Sequence, residues 1–121
     1  MRIRGTSLAS FWLAAGLAAG CGASAPPTLQ LTESKSAIRG AEEAGASDTP
    51  KAALHLKMAR DHLKNAEQLI GDEDYDDASL VLKRAQADAE LAISLAKEAK
   101  ARSDAEDAMA RVQKLKRDLG D

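Results

Sequence analysis

Two histidines form one candidate metal site in this 121-residue sequence. His55 and His62 are seven residues apart, which places them on one face of a helix but about 10.5 Å apart along its axis. A single metal ion with bonds near 2 Å to each nitrogen cannot join two ligands at that separation within one helix. We therefore expect both histidines to lie on a solvated helix face.

An acidic run offers a second candidate metal site. Asp72, Asp74 and Asp76 match the first, third and fifth ligand positions of a calcium-binding loop. The sixth position of such a loop is glycine and here is Asp77, and the twelfth is glutamate and here is Lys83. The run is instead typical of the start of a helix, where the helix dipole favours acidic side chains. We predict no catalytic residues, no metal site and no cofactor, and hence no enzyme.

Cys21 is the only cysteine of the sequence and follows a segment typical of a secretory signal peptide. Arg2 and Arg4 precede an uncharged stretch whose apolar part is about twelve residues long, too short to span a membrane. The string Leu17-Ala18-Ala19-Gly20-Cys21 resembles the lipobox of bacterial lipoproteins, with Ala18 where leucine is usual. The resemblance implies that the signal peptide, residues 1–20, is removed and that Cys21 carries a diacylglycerol, with palmitate among its acyl chains.

The residue after the cysteine indicates which membrane the anchor reaches. Gly22 stands where, in lipoproteins of cells with two membranes, an aspartate retains the protein at the inner membrane. By that resemblance we expect an anchor in the outer membrane, with the protein on its periplasmic face. A soluble periplasmic or secreted protein is the alternative. Residues 21–29 are small, polar and proline-containing, which predicts a flexible linker.

The composition predicts an all-α protein. Alanine and leucine account for 41 residues, valine and isoleucine for only six, and Phe11, Trp12 and Tyr75 are the only aromatic residues. Loss of Arg2 and Arg4 with the signal leaves 15 basic and 19 acidic residues. This acidic balance and the near absence of aromatic residues argue against a nucleic-acid partner and against a small-molecule substrate.

Helical periodicity predicts three helices over residues 30–44, 50–70 and 73–119. The first is short, with apolar residues at helical spacing up to Ala44 and Gly45 at its end. Thr49 and Pro50 are suited to start the second helix, and Gly71 to end it. The second and third helices form an antiparallel hairpin, and the coiled-coil-like third helix is far longer than its partner. Their predicted packing stripes are Ala52, Leu56, Ala59, Leu63, Ala66 and Ile70, and Ala78, Leu82, Ala85, Ala89, Ala92, Ala96 and Ala99.

The sequence between Ala37 and Ala101 resembles a family of small alanine-rich bacterial lipoproteins catalogued as domain of unknown function 4398. The resemblance rests on the Ala44-Gly45-Ala46 string, on Met58-Ala59-Arg60, and on the run from Gly71 through Tyr75 to Ala78. This sequence has one more acidic residue between Gly71 and Tyr75 than is usual there. The resemblance implies a helical, periplasm-facing and lipid-anchored domain, and it provides no catalytic residues.

Beyond Ala99 the apolar residues move to another face of the third helix. This second stripe is Ala105, Ala108, Val112, Leu115 and Leu119, and no other predicted helix is long enough to cover it. We therefore expect a protein partner or self-association there, and a role as a helical spacer or adaptor. The alternative is a tether to the peptidoglycan wall. The sequence ends Leu119-Gly120-Asp121, without the lysine of covalently wall-linked lipoproteins, so this contact would be non-covalent.

Overall fold

A computed structural model describes residues 24–120, and it confirms the all-α fold. The helices are α1 (Thr28–Glu43), α2 (Pro50–Gly71) and α3 (Tyr75–Gly120), and a short 3-10 turn (Ala46–Asp48) lies between α1 and α2. At 1.5 Å per residue, the 46 residues of α3 extend about 70 Å, twice the length of α2. The first helix begins two residues earlier than predicted, inside the segment expected to be linker, directly after the buried Pro27.

The connection between α1 and α2 requires a glycine. Gly45 has a φ of +77°, and a Cβ there would lie 3.1 Å from the Asp48 carboxylate. Its N–H donates to the Glu42 carbonyl and so closes the end of α1. Thr49 occupies the N-cap position of α2 with Pro50 after it, as predicted, although the Thr49 side chain makes no capping hydrogen bond.

The second helix ends at Gly71, and the reversal between α2 and α3 is made by a glutamate. Gly71 is the last helical residue, and the left-handed conformation falls on Glu73, with a φ of +62°. The N–H groups of Asp72, Glu73 and Asp74 donate back to the last carbonyls of α2. These bonds satisfy the end of the helix and offset the strain of about 1–2 kcal/mol that a side chain incurs in this conformation.

Small side chains allow α2 and α3 to pack closely along an antiparallel seam. Every predicted stripe residue of the two helices is buried or half-buried. Within the seam, Leu56 and Leu82 are the largest fully buried side chains, and the other fully buried positions are alanines. Alanine brings two helix axes toward the near end of the usual 8–10 Å range, while each residue buries little area.

The first helix runs parallel to α3 and antiparallel to α2. Gln30 contacts Ser79, and Ser34 further along contacts Leu82. The Ser34 side chain is fully buried, and its hydroxyl donates a 3.0 Å hydrogen bond to the Leu82 carbonyl. Ile38 and Ala41 complete the buried face of α1. The sequence did not single out Ser34, because a serine within a helix is ordinarily expected to face solvent.

We predict that enlarging a seam alanine destabilises the protein while the same change on the opposite side of α3 does not. Ala89→Leu places three extra carbon atoms where the side chain is fully buried, so the free energy of unfolding falls by about 1–3 kcal/mol. Ala87→Leu, two residues away and exposed, leaves it within about 0.5 kcal/mol. Urea denaturation followed by circular dichroism measures both variants. Equal stability of the two would contradict a closely packed seam.

Candidate functional site

The two histidines share one carboxylate across the seam. His55 Nδ1 lies 2.9 Å from Asp88 Oδ1, and His62 Nε2 lies 3.4 Å from Asp88 Oδ2. All three side chains are half-buried, Asp88 the most deeply at 17 % exposed. The expectation of a solvated face for the histidines is thus wrong: their face borders the seam, and α3 supplies an acceptor between them.

Asp88 is the residue of this cluster that the sequence analysis missed. Glu73 lies at the reversal between α2 and α3, and Ala59 of α2 and Ala87 of α3 are equally far from it along the chain. These two positions therefore lie opposite each other, and Asp88 follows Ala87. Ala59 lies midway between His55 and His62, so the observed reversal at Glu73 places Asp88 between the histidines. Histidine periodicity within α2 could not show it, because the partner belongs to another helix.

The cluster joins two helices but has no evident reactive partner. Asp88 makes a hydrogen bond with His55 and a longer polar contact with His62, and the two contacts together fix the register of α2 against α3. Among residues 24–120, no group of three His, Cys, Asp or Glu side chains is arranged to hold a metal ion. The acidic run is exposed, and Asp76 accepts a 2.7 Å hydrogen bond from Ser24 Oγ.

Asp61, a carboxylate of α2, pairs with Lys57 on the exposed side of the helix. Lys57 Nζ donates a 2.9 Å hydrogen bond to Asp61, and this bond together with the lysine charge lowers the pKa of Asp61. Both side chains are largely exposed, so the pair supports α2 locally and does not take part in the His55–Asp88–His62 cluster.

The second candidate site is the part of α3 that extends beyond the other helices. We call residues 101–120 the arm, and every one of them is exposed. The predicted stripe of Ala105, Ala108, Val112, Leu115 and Leu119 lies on it and is named here the arm stripe. Leu119 is 87 % exposed, Leu115 59 % and Val112 50 %, and Met109 beside them is 68 % exposed.

The arm stripe lies on the side of α3 that faces away from the bundle. At 3.6 residues per turn its centre is rotated about 150° from the buried stripe that ends near Ala99. Along the bundle, the same outer side of α3 is exposed and polar, with Lys83, Glu90, Ser94 and Lys97. Even if α2 were longer, it would therefore not cover the arm stripe.

Charge is separated along the arm. Asp104, Glu106 and Asp107 form an acidic segment next to the bundle. Arg111, Lys114, Lys116, Arg117 and Asp118 follow, so residues 111–118 carry a net charge of +3. An exposed apolar stripe flanked by charged side chains is typical of helices that pair with another helix or lie on a charged surface.

The arm and the first described residues lie at opposite ends of the molecule. Ser24 contacts Asp76 in the first turn of α3, whereas the arm occupies its last five turns. The distance along α3 from Asp76 to Leu119 is about 65 Å. The predicted signal peptide, residues 1–20, and the predicted lipid attachment at Cys21 lie outside the described residues.

None of the helices within residues 24–120 has both the length and the hydropathy required to cross a membrane.

We predict that the two histidines are coupled unequally to Asp88. Asp88→Ala lowers the free energy of unfolding by about 1–2 kcal/mol, since two half-buried imidazoles lose the carboxylate that they contact. A double-mutant cycle with His55→Ala gives a coupling of about 0.5–1 kcal/mol, and one with His62→Ala gives less, because the second contact is longer. Glu98→Ala, an exposed change on α3, serves as the control. Zero coupling in both cycles would show that the cluster does not stabilise the bundle.

Comparison with known proteins identifies the family. A family model described as a domain of unknown function (DUF4398) matches residues 29–115, which include the three-helix bundle and most of the arm. Comparisons with curated proteins and with solved structures gave no match. The family match confirms the resemblance drawn from the Ala44-Gly45-Ala46 string and the acidic turn. The chain belongs to the DUF4398 family.

Proposed function

We propose that this protein is a non-enzymatic, lipid-anchored envelope protein that acts as a helical spacer or adaptor for a protein partner. The observation that carries the proposal is the separation of two ends. The chain enters the bundle beside the start of α3, and the uncovered arm stripe lies about 44 to 65 Å away along the same helix. An anchor before residue 24 would thus present the arm far from the membrane surface.

The anchoring half of the proposal rests on the amino-terminal sequence. Cys21 follows a basic and then apolar segment, and only a few residues separate it from Ser24 at the base of the bundle. One acyl chain anchors a protein marginally, while two or more hold it durably. We propose the periplasmic face of the outer membrane as the location, because Gly22 rather than aspartate follows the cysteine.

The adaptor half rests on the arm. Four large apolar side chains of the arm, Met109, Val112, Leu115 and Leu119, are between half and nine-tenths exposed. A helix face of this kind matches the helix-in-groove or helix-pair modes of protein recognition. The cluster at Asp88 keeps the bundle below it in register, so the arm would project in a fixed direction.

A second candidate function is a non-covalent tether to the peptidoglycan wall. The net charge of +3 over residues 111–118 favours it, because the peptide stems of the wall carry carboxylates. The apolar arm stripe favours a protein partner more, since a polar polymer offers little surface that would cover leucine and valine side chains.

We predict that Cys21→Ala abolishes anchoring. In cells supplied with labelled palmitate, the unaltered chain takes up label and sediments with membranes, whereas the variant remains unlabelled and its signal uncleaved at this site. Ser24→Ala, three residues away, serves as the control and stays labelled. Equal labelling of both variants would remove the lipid anchor from the proposal.

We predict a partner contact at the arm. A photoreactive residue in place of Val112 forms a discrete crosslinked product in intact cells, while the same residue in place of Lys83, exposed on the same side of α3 within the bundle, does not. Equal patterns at the two positions would contradict an adaptor role for the arm.

Purified peptidoglycan sacculi distinguish the second candidate function. Retention of the chain on sacculi that is lost when Arg111, Lys114, Lys116 and Arg117 are changed to glutamine would favour the wall tether. The absence of any retention would favour the protein partner.

A further inference from the structure

We infer that the partner of the arm is a second copy of this chain, paired with it in an antiparallel coiled coil over residues 108–119. The inference rests on the proposed use of the arm as an interaction surface and names its occupant. Three features of the arm carry it: the heptad spacing of its apolar residues, the signs of the charges beside them, and the way small and large side chains alternate.

The arm stripe has the spacing of a two-stranded coiled coil. Ala105, Ala108, Val112, Leu115 and Leu119 are separated alternately by three and four residues, which makes them successive a and d positions of a heptad. All are exposed in the single chain. Their flanking g positions are Asp104, Arg111 and Asp118, and their e positions are Arg102, Met109 and Lys116.

The flanking charges disfavour a parallel pair. In parallel coiled coils each g residue faces the e residue of the following heptad on the other helix. That arrangement sets Arg111 against Lys116 and Lys97 against Arg102, and it forms no pair of opposite charge. Two copies of each repulsion would oppose the few apolar contacts available.

An antiparallel pair displaced by one heptad turns the same charges into attractions. In antiparallel coiled coils g residues face g residues of the other helix. With Val112 set opposite Leu115 of the second copy, Arg111 lies opposite Asp118 of that copy, and the two-fold symmetry makes the ion pair twice. The larger apolar residues of the arm are then all within the overlap.

Side-chain size fits this register as well. Leu119 of the second copy comes opposite Ala108, beside a depression lined by Ala108, Met109, Val112, Gln113 and Lys116. The smallest stripe residue in the overlap thus receives the most exposed leucine. Because the overlap lies wholly within the arm, the two bundles point away from each other and do not collide.

The contact area sets the affinity. The overlap contains twelve residues of each helix and two kinds of apolar layer, Val112 with Leu115 and Ala108 with Leu119, each formed twice by symmetry. This contact buries less than the roughly 1,200 Å² of a stable interface, so the pair is weak and reversible. In the pair, the two bundles lie at opposite ends of a rod that is nearly twice as long as α3.

Complementary charge reversals test the register. Arg111→Asp places aspartate against Asp118 in a self-pair, and Asp118→Arg places arginine against Arg111, so each variant alone raises the dissociation constant at least about tenfold. Mixing the two variants restores both ion pairs and therefore restores association. Arg102→Asp, the same charge change in the arm but outside the overlap, is the matched control and associates like the unaltered chain.

Sedimentation equilibrium measures association from about 10 μM to about 1 mM, a range suited to a weak pair. We examine the full chain in a non-ionic detergent, and residues 22–121 in detergent-free buffer after a thermal melt has shown that they fold. Hydrogen exchange in the arm slows with concentration if the pair forms, and exchange in the bundle does not change.

Four outcomes overturn the inference. The first is a chain that remains monomeric at every concentration. The second is that the two variants fail to associate on mixing. The third is that Arg111→Asp alone strengthens association, which is the result expected of a parallel pair. The fourth is a monomeric arm that binds vesicles of anionic phospholipid, which would assign it to a membrane surface. If a crosslink at Val112 to a different protein persists in these cases, the proposed adaptor function stands while the self-pairing fails.

Discussion

The close approach of α2 and α3 along a seam of alanines is the constraint on which the rest of this structure depends. Alanine has the highest helix propensity of any residue and leaves room for two helices to meet near the shortest usual distance. Six of the seven predicted seam residues of α3 are fully or nearly fully buried, and five of those six are alanines. The seam gains little apolar area per residue, so the helices must be in contact over many turns to be stable.

A seam of nearly identical small side chains does little to fix how the helices slide along each other. Three features supply that information. Leu56 and Leu82 are large enough to need defined pockets, the Ser34 hydroxyl ties α1 to the Leu82 carbonyl, and Asp88 binds His55 and His62. Polar contacts of this kind are directional, and a displacement of one turn would break them all. The polar residues thus set the register, and the alanines set the distance.

The same helix that builds the bundle also provides the surface outside it. Up to Ala99 the apolar stripe of α3 faces α1 and α2, and from Ala105 onward the apolar stripe lies on the other side. The positions that would continue the buried stripe include Ser103 and Glu106, so the bundle could not have been extended by lengthening α2. The change of face, rather than the mere length of α3, makes the arm an independent surface with its own spacing and charge pattern.

The sequence alone was sufficient to predict the helices, the antiparallel hairpin and the exposure of the arm. Those features follow from periodicity within single segments, and from glycine and proline at their ends. Helix boundaries were displaced by one to two residues, and the left-handed residue that reverses the chain after α2 is Glu73 rather than a glycine.

Tertiary structure alone decided which residues of different helices meet. The parallel placement of α1 on α3, the burial of Ser34 and the contacts of two histidines with Asp88 join residues 26 to 48 positions apart in the sequence. No local pattern records such a pairing, because each side chain taken in its own helix resembles an ordinary polar residue at the edge of an apolar stripe. Only the packing of the helices turns these isolated residues into contacts.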